Sequence, residues 1–144
     1  MNSSDQKAYF FKIDTTIKKI RYALQKALDE ANLDITVDQW VLIDHIFRNP
    51  GISQNDLGEM TVKDNPTVTR IIDLLVKKGL SERKMSESDR RRFDVFLTET
   101  GKEVYHKAHP IVVHVRRKSW SGLNDEDYFI FTRILDTIYK NITT

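Results

Sequence analysis

The stretch NPTVTRIIDLLVKKG, which runs from Asn65 to Gly79, decides the fold because it carries the signals of a complete amphipathic helix. Its apolar residues recur every three or four positions and so share one face of a helix with about 3.6 residues per turn. They are Val68, Ile71, Ile72, Leu75 and Val76. Asn65 is a favourable N-cap, Pro66 suits the first helical position, and Gly79 can adopt the left-handed conformation that ends a helix.

The other face of this helix is polar, and its chemistry suits contact with nucleic acid. Short hydroxyl side chains and an arginine let a helix backbone enter a DNA groove, and they can hydrogen-bond base edges or phosphates. The polar residues are Asn65, Thr67, Thr69, Arg70, Asp73 and Lys77. This face predicts a recognition helix.

A short helix before this one and a hairpin after it complete the pattern of a winged helix-turn-helix. Ser53-Gln54-Asn55-Asp56 is a capping box that opens a brief helix, and a turn joins that helix to the recognition helix. From Leu80 to Thr98 the pattern changes to period two, which predicts a β-hairpin. Its tip carries Arg90, Arg91 and Arg92, which can reach the negative potential of a narrow minor groove. A basic loop is often only a solvated charge run, but this position favours nucleic-acid contact.

Two helices are expected before this region. The first spans about Ser4 to Ala31, and its amphipathic pattern leaves two interpretations open, packing within its own domain and packing across a dimer. The second follows a capping box, Thr36-Val37-Asp38-Gln39, and continues through Arg48. We expect Trp40 to lie in the core of the domain rather than in a ligand pocket.

Two more helices are expected after the hairpin. Thr98 caps the first, and Pro110 is expected to kink or break it because proline removes a backbone hydrogen bond. Asn124 begins the last helix, with acidic residues in its first turn. The apolar surface of this last helix is too broad for a free terminal helix. It comprises Phe129, Phe131, Ile134, Leu135, Ile138, Tyr139 and Ile142.

Composition limits the possible functions. The 144 residues suffice for one domain with a real core, and the absence of cysteine excludes disulfides, thiolate metal sites and thiol redox sensing by this chain. No apolar run approaches the roughly 20 residues that span a bilayer, and the N-terminus lacks a signal-peptide pattern, so we expect a cytoplasmic protein without membrane contact. The net charge of +2 is weak evidence by itself. Residues 63–92, however, hold nine Lys and Arg against five Asp and Glu, which places the positive charge at the expected recognition helix and hairpin.

Three blocks of the chain resemble the MarR family of bacterial winged-helix regulators. They are TVDQWVLIDHI, NPTVTRIIDLLVKKGLSER, and DRRRFDVFLTETG, the last being similar to the family's wing signature. The resemblance implies a mainly α fold with a small β-wing. Residues 36–100 would form the winged helix-turn-helix, and residues 1–33 and 101–144 would form interlocking dimerisation helices.

The resemblance also implies a function and a set of DNA-contacting residues. Arg91 would enter the minor groove with Asp89 as its positioning partner, between Arg90 and Arg92. Thr67, Thr69 and Arg70, on the helix that Asn65 begins, would face the major groove, and Gln54 and Asn55 would contact phosphates. A homodimer would place two recognition helices about 34 Å apart and read a pseudo-palindromic operator in double-stranded DNA. The expected function is sequence-specific transcriptional regulation, as a repressor released by a small-molecule effector such as an aromatic acid.

A winged-helix protein-interaction module that does not bind DNA remains an alternative. An enzyme is not expected, because Asp44 and His45 are neighbours that do not face each other on a helix and no glycine-rich phosphate loop exists. No cofactor is expected, and His106, His109 and His114 are expected to be surface residues rather than metal ligands.

Overall fold

The computed structural model describes the backbone of residues 3–144 and the side chains of residues 8–144. Within this range the chain is mainly helical with one small antiparallel sheet, as the sequence predicts. In chain order the elements are α1 Ser3–Glu30, α2 Val37–Arg48, β1 Ile52–Ser53, α3 Gln54–Thr61, α4 Asn65–Lys77, β2 Ser81–Met85, β3 Phe93–Leu97, α5 Glu99–Ser119 and α6 Asp125–Thr143.

Helices α3 and α4 form the expected helix-turn-helix. Val62 ends α3 in the left-handed conformation, with φ of +53°, which reverses the chain tightly before α4. Gly58 allows this close approach, because a Cβ atom there would lie 3.1 Å from the carbonyl oxygen of Lys63. Leu57 and Val68 are fully buried between the two helices and the rest of the domain. Burial of such side chains stabilises the domain by about 1.5–3 kcal/mol each.

The sheet has the strand order β1-β3-β2, and both pairings are antiparallel. The β2–β3 hairpin is the wing, in which Ser81 pairs with Leu97 and Met85 pairs with Phe93. The short strand β1 pairs Ile52 with Val95, so the wing is joined to the segment that precedes α3. The wing and the helix-turn-helix are therefore parts of one packed unit.

The core lies between α2, α4, β3, α5 and the C-terminal half of α1. Trp40 is 4% exposed and belongs to this core, as predicted. The core residues are Leu28, Ile35, Trp40, Leu42, Ile43, Ile46, Leu57, Val68, Ile71, Ile72, Leu75, Leu80, Val95, Leu97, Tyr105, Ala108 and Val112.

Two predictions about helix ends need correction. Asp64, not Asn65, is the N-cap of α4, because its side chain accepts the backbone N–H of Thr67 and Asn65 already lies in the helix. Only half of the expected capping box of α3 forms: Ser53 Oγ accepts the backbone N–H of Asp56, and no reciprocal bond from Asp56 is present among the described residues.

Pro110 does not break α5, which continues from Glu99 to Ser119. The proline removes one hydrogen-bond donor from the middle of a 21-residue helix, and the remaining backbone bonds maintain it. The helix then ends at Trp120, and Gly122 adopts a φ of +85° in the turn before α6. The cap of α6 is as predicted, since Asn124 and Asp127 form a reciprocal capping box.

The outer helices expose apolar surface. In α1, Phe10 is 71% exposed, and Ile13 and Ile17 are exposed as well. None of the residues of α6 is buried, and Phe129 is 68% exposed. Most of the apolar surface of α6 is therefore uncovered within residues 8–144. Over the same range, we find no helix of the length and hydropathy required to cross a membrane.

Candidate DNA-binding surface

The N-terminal half of α4 exposes the polar front that the sequence predicts. Asn65 and Arg70 are exposed, and Thr67 and Thr69 are half-buried. Asp64 fixes the start of this surface, because its Oδ1 atom accepts the backbone N–H of Thr67 at 2.8 Å. The hydrogen bonds from Thr67, with a smaller contribution from the charge of Arg70, hold the pKa of Asp64 below its ordinary value.

Gln54 lies at the first position of α3, and both the nitrogen and the oxygen of its amide form hydrogen bonds within the protein. Its Nε2 atom donates to Thr69 Oγ1 at 2.7 Å, and its Oε1 atom accepts from Arg83 Nε at 3.1 Å. Gln54 was expected to contact phosphate, and its side chain is instead engaged with the recognition helix and the wing. Its neighbour Asn55 is exposed at the opening of α3.

Arg83 joins β2 to the recognition helix. One of its guanidinium nitrogens lies 2.6 Å from Asp73 Oδ1 and also donates to the backbone carbonyl of Thr69 at 3.2 Å. Its side chain is mostly buried, whereas that of Asp73 is largely exposed. Arg83 therefore contacts three residues that together fix the wing against α4: Gln54, Thr69 and Asp73.

The wing tip carries the expected arginines, and Arg91 extends into solvent, with 93% of its side chain exposed. Asp89 Oδ1 accepts the backbone N–H of Arg91 at 3.0 Å and lies 3.4 Å from its Nε atom. Arg90 is exposed, and Arg92 lies 3.9 Å from the carboxylate of Asp94. The described contacts of these residues lie within the wing.

A second polar junction, centred on Asp38, joins α1 to α2 and to the turn before α4. Asp38 Oδ1, in α2, accepts from an Arg21 guanidinium nitrogen at 2.7 Å and from Lys63 Nζ at 3.0 Å. Partial burial raises the pKa of Asp38, but the hydrogen bonds and charges of Arg21 and Lys63 outweigh this effect and hold the pKa below its ordinary value. One carboxylate therefore links α1, α2 and the turn before α4.

An aromatic cluster packs α2 against α5. Tyr105 stacks on Phe47 at a ring-centroid distance of 3.7 Å, and on Trp40 and His109 at 5.5 and 5.3 Å. Burial raises the pKa of the Tyr105 hydroxyl, with a further contribution from the nearby Asp44 carboxylate. Two of the histidines expected on the surface, His106 and His114, are exposed, whereas His109 is partly buried in this cluster. The described residues include no group of His, Cys, Asp or Glu arranged to hold a metal ion.

Sequence reasoning missed three residues that organise this surface, namely Arg83, Asp38 and Lys63. For Arg83 a signal existed, because period-two alternation places it on the same face of β2 as the buried Ser81. A charged residue on the inward face of a strand requires a partner. The contacts of Asp38 and Lys63 span 25 residues of chain, and helical spacing does not reveal such a pair.

Comparison with known proteins identifies the family. The MarR family model matches residues 35–93. An uncharacterized HTH-type transcriptional regulator of Bacillus subtilis strain 168, YybA, is 32% identical over 111 residues, which are 77% of this chain and 74% of that protein. The chain belongs to the MarR family. It is therefore a winged helix-turn-helix transcriptional regulator and not an enzyme.

Solved structures show the same fold. A mutant MarR from E. coli, solved in complex with operator DNA, is 23% identical with a TM-score of 0.83 and covers 96% of this chain and 99% of its own. The PcaV transcriptional regulator from Streptomyces coelicolor, solved in complex with its natural ligand, is 17% identical with a TM-score of 0.74, covering 87% and 89%.

Proposed function

We propose that this MarR-family regulator is a homodimer that binds a pseudo-palindromic operator in double-stranded DNA and represses transcription until a small-molecule effector releases it. The observation that carries the proposal is the polar front of α4, held by Arg83 beside a wing that exposes Arg91. A helix front of this kind suits the major groove, and an extended arginine suits the minor groove. The operator complex of the MarR relative supports the same use of the fold.

The individual DNA contacts follow from exposure and hydrogen-bonding capacity. Asn65, Thr67 and Arg70 face the major groove from α4, and Asn55 donates to a phosphate from the opening of α3. We assign Thr69 to a base contact and Gln54 to the support of Thr69. The wing residues Arg90, Arg91 and Arg92 contact the minor groove and its phosphates, and Asp89 orients Arg91.

The dimer rests on the exposed apolar surfaces of the outer helices. Helix α6 has no buried residue and exposes Phe129, Tyr139 and Ile142, while α1 exposes Phe10 and Ile17. Soluble monomers rarely expose contiguous apolar surface of this kind. We assign residues 1–33 and 101–144 to dimerisation and residues 36–100 to DNA binding.

The effector is proposed to bind where α1 meets α2. A cleft of about 460 Å³ at this junction is lined by Lys18, Arg21, Tyr22, Gln25, Thr36, Val37 and Asp38. The exposed ring of Tyr22 suits stacking by an aromatic carboxylic acid, and the carboxylate of that acid would compete with Asp38 for Arg21 and with Asp14 for Lys18. The PcaV complex supports small-molecule binding within this fold.

Release would follow from a shift between two conformations. An effector that binds more tightly to a dimer whose recognition helices no longer match successive DNA grooves favours that dimer over the DNA-bound form. Two half-sites separated by one turn of DNA tolerate little change in spacing, because both helices must enter successive grooves together.

The test is selection of bound fragments from random duplex DNA by the purified protein, with and without a panel of aromatic acids. We expect an enriched sequence with two symmetric half-sites, and reduced recovery of it in the presence of one acid. Affinity for that sequence should fall steeply with salt. Recovery without enrichment, together with a shallow salt dependence, contradicts sequence-specific DNA binding and favours a protein-interaction module.

The oligomeric state is tested separately by light scattering after size exclusion. We expect a dimer at micromolar concentration, and replacement of Phe129 by glutamate should shift the protein towards monomer. Met60→Glu, which makes the same change from an exposed apolar side chain to a negative charge but lies in α3, outside the residues assigned to dimerisation, should remain dimeric. A stable monomer of the unaltered protein overturns the proposed arrangement.

A further inference from the structure

A chain of two hydrogen bonds runs from the wing to the front of the recognition helix. Arg83 Nε donates to Gln54 Oε1 at 3.1 Å, and Gln54 Nε2 donates to Thr69 Oγ1 at 2.7 Å. A guanidinium group can only donate, so the Gln54 amide must turn its oxygen towards Arg83 and its nitrogen towards Thr69. The direction of every bond in this chain is therefore fixed by Arg83.

This direction determines what the Thr69 hydroxyl can offer to DNA. The hydroxyl has one hydrogen, and that hydrogen cannot point at Gln54 Nε2, which is itself a donor. Other threonines in the helices of this protein direct the hydroxyl hydrogen to the carbonyl four residues earlier, as Thr61 does to Leu57 at 2.7 Å and Thr132 does to Tyr128 at 2.9 Å. Within the described chain Thr69 forms no such bond to Asn65, so its hydrogen remains available.

We propose that Arg83 and Gln54 are positioning residues that make Thr69 a hydrogen-bond donor to a base edge in the major groove. The proposal rests on the DNA-binding function proposed above. The matching base groups are acceptors: O6 or N7 of guanine, N7 of adenine and O4 of thymine. A second anchor supports the geometry, because Arg83 also binds Asp73 at 2.6 Å and the carbonyl of Thr69 at 3.2 Å, which holds this turn of α4 against β2.

The inference predicts the effect of reversing the chain of bonds. In a Gln54→Glu variant the carboxylate accepts from both Arg83 and Thr69, so the Thr69 hydrogen turns inwards and the hydroxyl can only accept from DNA. The added negative charge also weakens DNA binding in general. Asn55→Asp adds the same charge at the neighbouring exposed position without entering the chain of bonds, and it is the matched control.

The experiment measures affinity for the selected operator and for variants with each of the four base pairs at every position. Thr69→Val, which keeps the shape of the side chain without the hydroxyl, identifies the base that Thr69 contacts through a loss of preference at one position in each half-site. At that position Gln54→Glu should reduce the original preference by about fivefold or more, whereas Asn55→Asp should lower affinity for all variants alike. Arg83→Met should relax the same preference, because the amide is then free to turn.

The outcomes distinguish this inference from the proposed function. If the unaltered protein selects no sequence, the DNA-binding function fails. If it selects an operator but Gln54→Glu and Asn55→Asp show the same preference at every base, the positioning role is overturned. An effect of Thr69→Val that is equal for all sequences also overturns it, because that result places the hydroxyl on a phosphate.

Discussion

Asp89 Oδ1 accepts the backbone N–H of Arg91 at 3.0 Å and lies 3.4 Å from the Nε atom of the same residue. The carboxylate therefore restrains both the loop at the wing tip and the arginine side chain that extends from it. Removing Asp89 has two opposite effects on DNA binding. It deletes a negative charge near DNA, which favours binding, and it releases Arg91, which disfavours binding.

The first prediction is that the loss of restraint prevails in Asp89→Ala. We expect operator affinity to fall by roughly fivefold, in keeping with about 1 kcal/mol for a lost hydrogen bond. Titration of labelled operator at constant salt measures the change. The control is Glu87→Ala, which deletes a charge from the same loop and should leave affinity equal or slightly higher. A gain of affinity in Asp89→Ala contradicts the restraining role.

The second prediction concerns the wing arginine itself. Arg91→Ala should weaken binding to operator and to unrelated duplexes, because a minor-groove arginine acts mainly through charge and groove width. The slope of log affinity against log salt should decrease by about one. Lys107→Ala, which removes an exposed charge from α5, should leave that slope unchanged. An unaltered slope in Arg91→Ala places this side chain away from the DNA.

The third prediction separates base contact from phosphate contact at Arg70. This side chain is exposed on the front of α4, beside Asp64 and one turn before Asp73. If it binds a base, Arg70→Ala should cost about 1–3 kcal/mol against the preferred base pair and little against its substitutes. Binding to a panel of operator variants measures this difference. Equal weakening of every variant assigns Arg70 to a phosphate instead.

Local sequence signals predicted most of the fold, and one error arose where two adjacent residues offered the same signal. Asp64 and Asn65 are both good N-caps, and the structure uses Asp64, which places Asn65 in the first turn. Pro66 did not decide between them, since proline is tolerated throughout the first turn. At Pro110 the rule against proline predicted a kink or a break, yet the flanking turns of α5 keep the helix continuous.

The residues of the proposed site lie within two short stretches of sequence, so local patterns could indicate them as candidates. The engagement of Gln54 was not predicted, because its partners Thr69 and Arg83 lie 15 and 29 residues further along the chain. Whether a polar side chain faces DNA or its own domain depends on tertiary packing. Amphipathic spacing shows only on which face of a helix the side chain lies. The same limit applies to Asp38. Its sequence pattern placed it in a capping box and did not reveal its contacts with Arg21 and Lys63.

The fourth prediction concerns Gly101, at the junction between α5 and the wing. A Cβ atom at this position would lie 2.0 Å from the carbonyl oxygen of Leu80, and that oxygen also accepts the backbone N–H of Thr98. Gly101→Ala therefore forces the start of α5 away from Leu80, which lies between α4 and β2. We expect a loss of about 2 kcal/mol or more in the free energy of unfolding. Urea denaturation measures it, and the exposed neighbour Thr100→Ala should change stability by far less.

The last prediction concerns Asp38, whose carboxylate accepts hydrogen bonds from both Arg21 and Lys63. These bonds hold the pKa of Asp38 below its ordinary value in the folded protein despite partial burial. The corresponding stabilisation is present above the ordinary aspartate pKa, about 3.9, and is lost as the pH falls through the folded-state pKa. Asp38→Asn should therefore be less stable than the unaltered protein at pH 7, and the difference should shrink below about pH 4.

Urea denaturation at pH 7 and near pH 3 measures this change in the difference between the two proteins. Asp34→Asn is the control, because Asp34 is fully exposed and its pairing with Lys78, at 3.8 Å, is screened by water. The control should show a small and nearly constant difference. Arg21 belongs to α1 and Lys63 to the turn before α4, so the carboxylate of Asp38 is shared between these two parts. If the difference in free energy of unfolding between Asp38→Asn and the unaltered protein does not vary with pH, the carboxylate does not stabilise this junction through its charge.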